Sequence, residues 1–127
     1  MLSDSINSNL YPEWLSHVKS ETAKDAFRYL VGAAALLKKY TCHVQSKGVV
    51  KDFRFIDQNN EQPFAFIVNM KWLLFYFRAP SIRSGSFALD ELQDSFPLAS
   101  KNNRGEWTIR IHNIQEACVL MKYLELE

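Results

Sequence analysis

The chain has 127 residues and a mass of 14.8 kDa, the length of a single domain spanning 1–127. Its residues are 47% hydrophobic and 13% aromatic, which excludes intrinsic disorder, collagen and coiled coil. Fifteen Lys and Arg against fourteen Asp and Glu leave +1, which argues against a wholesale nucleic-acid coat and against an acidic nucleic-acid mimic, but leaves room for a local basic patch.

Asn7, Ser8 and Asn9 are candidate caps ahead of Pro12, after which Trp14, Leu15 and Val18 recur at helical spacing and predict a short helix over 12–18. Ser20 or Thr22 caps a longer one, over 21–40, along which Ala23, Ala26, Phe27, Leu30, Ala33, Ala34 and Leu37 form one apolar stripe. The two are separate helices or one bent rod. Lys38 and Lys39 fall in the last turn, where they favour the helix dipole. Gly32, inside this helix, costs about 1 kcal/mol against Ala and suggests close packing on another element.

After Tyr40 the period shortens to two. Cys42, Val44, Val49, Val50, Phe53 and Phe55 predict short strands broken at Lys47-Gly48 and closed by Asp57-Gln58-Asn59-Asn60. Phe64 to Phe77 is the best strand signal and reads as a hairpin with a two-residue turn at Asn69-Met70 or Met70-Lys71. Ala79-Pro80 through Ser84-Gly85-Ser86 reads as a loop. Ser86 is placed to cap a short helix bearing Phe87, Leu89, Leu92 and Phe96 and stopped by Pro97. Ser100 to Gly105 reads as a loop and Glu106 to His112 as a half-buried strand, with Trp107, Ile109 and Ile111 alternating against Thr108, Arg110 and His112. Asn113 and Glu116 resemble a capping box for a closing helix whose stripe is Ile114, Ala117, Cys118, Met121 and Leu124, ahead of an acidic, fraying end at Glu125-Leu126-Glu127. The fold class expected is α+β: one small, mostly antiparallel sheet of four or five strands, packed on one face by the long N-terminal helix and the C-terminal helix.

Either position of the two-residue turn sorts the hairpin the same way. One face collects Phe64, Phe66, Val68, Leu73, Phe75 and Phe77 and belongs in the core. The other collects Ala65, Ile67, Trp72, Leu74, Tyr76 and Arg78, to which neighbouring strands add Arg54, Thr108, Arg110 and His112. Nucleobases stack on rings and on guanidinium planes, and Arg also forks onto phosphate, so Arg54, Trp72, Tyr76, Arg78, Arg110 and His112 are candidate ligand-binding residues. Lys71, Arg83, Lys101 and Arg104 extend a basic rim in the loops. In the competing reading the short middle helix covers this face through Leu89, Leu92 and Phe96, and the arginines pair with Asp90, Glu91 and Asp94.

Signals for catalysis are sparse. No phosphate-binding loop, dinucleotide fingerprint or nucleophile elbow occurs, and no carboxylate is followed two positions later by Lys, as a restriction-type nuclease core would require. His17, His43 and His112 have no metal-ligand spacing, and Cys42 and His43, adjacent on a strand, face opposite ways. Cys42 and Cys118 show no zinc or redox spacing and read as small buried thiols. The start of the chain lacks a secretory pattern, and its apolar runs fall far short of the roughly 20 residues of a membrane span. The sequence thus predicts a cytoplasmic, non-catalytic binding module without cofactor, metal or membrane contact. Nucleic acid on the Arg and aromatic face is the specific expectation. The alternative is a protein partner, for an inhibitor, immunity protein or small subunit using the same Trp, Tyr and Arg residues as interface anchors.

Overall fold

A computed structural model describes residues 2, 10–47 and 50–124. The expected caps Asn7, Ser8 and Asn9, the Gly48-Val49 break and the acidic end Glu125-Leu126-Glu127 lie outside the described residues. Helices α1 (Leu10–His17) and α2 (Glu21–Ala35) come first, followed by strands β1 (Thr41–Lys47), β2 (Val50–Ile56), β3 (Phe64–Val68) and β4 (Leu73–Phe77). Helices α3 (Ala79–Arg83) and α4 (Leu89–Ser95), strands β5 (Ser100–Lys101) and β6 (Trp107–Ile111) and helix α5 (Ile114–Leu124) complete the chain. All strand pairs are antiparallel in the order β1-β2-β3-β4-β6-β5. The α+β architecture is as expected, with six strands rather than four or five.

The β3–β4 register pairs Phe64 with Phe77 and Val68 with Leu73, and the Asn69 N–H donates to the Trp72 carbonyl at 3.0 Å. Met70-Lys71 is therefore the two-residue turn. Among the described residues the one non-glycine with positive φ is Asn60, so this turn does not use the left-handed backbone usual for such hairpins. Its conformation is fixed from outside instead. The Met70 carbonyl accepts from the Lys19 N–H at 2.7 Å and the Ser20 N–H at 3.3 Å, which ties the turn to the junction of α1 and α2.

One sheet face carries Phe53, Phe55, Phe64, Phe66, Phe75 and Phe77, each at most 2% exposed. Phe53 stacks on Phe66 with centroids 4.8 Å apart, and the other rings meet mostly edge to face. Each such side chain contributes about 1.5–3 kcal/mol on burial. The stripes of α1, α2 and α5 close over them with Trp14, Phe27, Leu30, Ala117 and Leu120, joined by Val18 just beyond α1. Leu92 of α4, with Phe96 and Ala99 beyond it, belongs to the same buried cluster. The middle helix is thus spent on the core side of the sheet, and the reading in which it roofs the second face is overturned.

Several local expectations are corrected. Helix α2 ends at Ala35, where the Leu36 N–H turns back onto the Ala33 carbonyl, so Lys38 and Lys39 lie beyond its last turn. Ser20 is its cap, its Oγ accepting from the Ala23 N–H. Gly32 is exposed, with open space where a Cβ would stand, so close packing does not explain it. Ala79–Arg83, expected as loop, is a short helix with Pro80 in its first turn, and Ser100–Lys101 is a strand recruited by β6. The cap residue of α4 is Ala88 rather than Ser86. At α5, Asn113 Oδ1 accepts from the Glu116 N–H as a capping box requires, but the Glu116 carboxylate reaches back to the His112 N–H, not to Asn113.

Candidate functional site

The second sheet face is not roofed by any of the described helices. Strand pairing lines up His43, Arg54, Ala65, Tyr76, Thr108 and Ser100 across all six strands, and next to them Gln45, Asp52, Ile67, Leu74 and Arg110. Because Ala65 and Thr108 are small, the Tyr76 ring stands up between low neighbours. A hollow of about 390 Å³ results, lined by Val50, Asp52, Arg54, Ala65, Ile67, Tyr76, Arg78, Arg104 and Glu106.

Two of its arginines are held fast. Arg54 donates through Nε and Nη2 to Asp52 Oδ2 at 3.0 and 2.9 Å, and through Nη1 to Gln62 Oε1 at 2.6 Å. Arg78 donates through Nε to Glu106 Oε2 at 3.1 Å and through Nη1 to the same Gln62 oxygen at 2.9 Å. Asp52 is only 6% exposed, and its Oδ1, itself sealed from solvent, has no hydrogen-bond partner among the described residues. Arg104 is exposed and makes no ion pair among the described residues. The Tyr76 phenol is pushed above its ordinary pKa by burial first, then by Glu106 and Asp52, with Arg104 acting the other way.

Toward the β3–β4 turn lies a second cluster. The Arg110 guanidinium sits over the Trp72 ring, 4.4 Å from its centroid, and the His112 ring is 6.2 Å from the same indole. His112 Nδ1 meets Glu116 Oε1 at 3.1 Å. Trp72 and Tyr76 are half-buried, while Arg110 and His112 are exposed.

Seven of the nine candidate residues therefore share the open face or its rim: Arg54, Tyr76, Arg78 and Arg104 around the hollow, Trp72, Arg110 and His112 at the turn end. The other two do not. Arg83, at the end of α3, pairs with Glu61 and lines a cleft of about 840 Å³ with Phe64, Phe87 and Tyr123. Lys101 stands opposite Trp107, whose ring packs on Phe77, so its register belongs to the helix side at the sheet edge. The arginines do not pair with Asp90, Glu91 or Asp94. Their partners Asp52, Gln62 and Glu106 were not anticipated, although Asp52, two positions before Arg54 on a strand, necessarily shares its face.

Cys42 is fully buried and its thiol is pushed up to about 12 by burial, whereas Cys118 is exposed, a correction to its placement on the buried stripe. Among the described residues no three of His, Cys, Asp and Glu converge as metal ligands would, and no helix is long and apolar enough to cross a membrane. Comparison with protein-family models, curated proteins and solved structures found no match for this chain.

Proposed function

We propose that this chain is a binding module for single-stranded nucleic acid, which it takes on the open face of the sheet. The observation that carries this reading is the Trp72–Arg110 stack lying on the same face as the Tyr76 hollow, with Arg104, which makes no ion pair among the described residues, at the rim of that hollow. Unpaired bases stack on exposed rings and guanidinium planes at about 1–3 kcal/mol each, and a flat antiparallel sheet presents such groups in a row that a strand can follow. Arg54 and Arg78, already paired, shape the surface, and Arg104 and Arg110 are left to meet phosphates. A duplex is disfavoured because its bases are stacked on one another and cannot reach the rings.

The test is fluorescence anisotropy with labelled single-stranded and double-stranded oligonucleotides of about 12 nucleotides, at 50 and 200 mM salt. Single strands should bind more tightly than duplex, and more weakly at the higher salt. Trp72→Ala should cost roughly 5-fold or more in affinity with the fold intact. Absence of binding to any strand at 50 mM salt overturns the reading. Collapse of the fold on Trp72→Ala would instead assign the indole to the core.

A further inference from the structure

At the turn end of the sheet face His112 is held differently from the arginines beside it. Its backbone N–H and its Nδ1 both meet Glu116 Oε1, at 2.9 and 3.1 Å. A carboxylate oxygen only accepts, so in the neutral ring Nδ1 carries the proton and Nε2 is left as a bare acceptor. Nε2 has no hydrogen-bond partner among the described residues, and the side chain is 47% exposed. The ring centroid lies 6.2 Å from that of Trp72, which brings a phosphate flanking a base held at Trp72 within reach of the imidazole.

The neutral ring repels such a phosphate. Nε2 offers a lone pair where the phosphate offers only oxygens, and Glu116 adds a negative charge behind it. Protonation reverses both effects: Nε2 becomes an N–H donor aimed away from Glu116, and the imidazolium offsets the carboxylate. The other charged groups at this end are Arg110 of the same strand, over Trp72, and Lys71 in the β3–β4 turn. Guanidinium and ammonium groups as a class keep their charge below pH 8, so they do not respond over the range in which imidazoles do. On the helix side, Glu21 and Asp25 of α2, which packs on α5, are paired with Lys24 and Arg28, and Lys19 Nζ donates to the Ser16 carbonyl. Farther along the face, Asp52 and Glu106 are tied to Arg54 and Arg78. We infer that His112 is a phosphate contact of the bound strand made only by its protonated form, so that this chain grips single strands more tightly at pH 5.5 than at pH 7.5. This rests on the single-strand reading above.

The experiment measures the affinity of the full chain for a thymine strand of about 12 nucleotides, without a terminal phosphate and carrying a dye of constant charge, by anisotropy at both pH values and at 50 and 200 mM salt. Thymine does not titrate in this window, so any response belongs to the protein. Binding is expected to be about 5-fold tighter at pH 5.5, with the slope of log affinity against log salt steeper by about 1. His112→Gln should remove both changes and leave the affinity at pH 7.5 within about 2-fold. His43→Gln, on the same face, and His17→Gln, in α1, should each retain them. By reciprocity, the bound strand should raise the pH at which the His112 ring titrates in NMR by about 0.7 unit, the same 5-fold. Equal affinity at the two pH values, a response that survives His112→Gln or is lost with His43→Gln or His17→Gln, or an unshifted His112 titration overturns the inference and leaves the single-strand reading standing. Absence of binding at both pH values removes both proposals together.

Discussion

Arg54 and Arg78 share one acceptor. Their Nη1 groups converge on Gln62 Oε1 at 2.6 and 2.9 Å, so a neutral amide in the loop after β2 holds two guanidinium groups side by side on the open face. Two like charges are kept close only because Asp52 and Glu106 offset them from the outer sides. Gln62→Ala is expected to cost about 1–2 kcal/mol in urea unfolding, the scale of losing a hydrogen-bond acceptor shared by charged donors. A change near zero would mean that the carboxylates alone set both arginines.

Arg104 and Arg110 differ from that pair in being exposed and free of carboxylate partners among the described residues. If they meet phosphates, Arg104→Ala and Arg110→Ala should each lower the slope of log affinity against log salt by about 1, with melting temperature unchanged. Arg78→Ala should do the opposite, reducing stability by leaving Glu106 without its guanidinium while hardly altering the slope. Slopes unaffected by both exposed-arginine variants would place the phosphate contacts elsewhere.

Much of this face was legible in the sequence, and for a physical reason. Strand periodicity is two, so once Phe64 to Phe77 is a hairpin with a two-residue turn, Tyr76 and Phe75 must part company, and Arg54 and Arg110 must join Tyr76. What could not be read was tertiary. Ser100 and Lys101 have no strand propensity and are extended because β6 needed a partner. Leu37 prolongs the helical stripe, yet the chain must reverse before Thr41, and the helix ends at Ala35. Gln62 and Glu106 come from beside the strands, so no spacing rule connects them to Arg54 and Arg78. The direction in which α4 packs depends on which side of the sheet still had room.

Gly32 offers a clean stability test. It lies within α2, exposed, with nothing within 4 Å of where a Cβ would stand. Gly32→Ala should therefore gain about 0.5–1 kcal/mol and raise the melting temperature by roughly 2–4 °C, through helix propensity alone. A loss of stability would show that the bare backbone at this turn is needed for some contact.

The two thiols should behave differently. With native protein at pH 8, a thiol reagent is expected to modify Cys118 quickly and Cys42 only after unfolding, since burial holds the Cys42 proton up to about 12. The same shift has a stability consequence. The folded chain keeps a proton that the unfolded chain releases, so the Cys42 contribution is whole below the ordinary thiol value of 9.0 and is lost as pH climbs toward about 12. Half-buried Tyr11, Tyr40 and Tyr76, whose phenols are also raised, act in the same sense. Urea midpoints should fall between pH 9 and pH 11, and a flat profile would contradict the burial of these groups.

The Met70 carbonyl, gripped by the amides of Lys19 and Ser20, makes the central hairpin and the helical layer open as a unit. Neither the tip of the hairpin nor the start of α2 can fray without breaking the other's hydrogen bonds. In deuterium exchange the Lys19 amide, although it lies between helices, should be as slow as the β3 and β4 ladders, marking one cooperative unit that spans both layers.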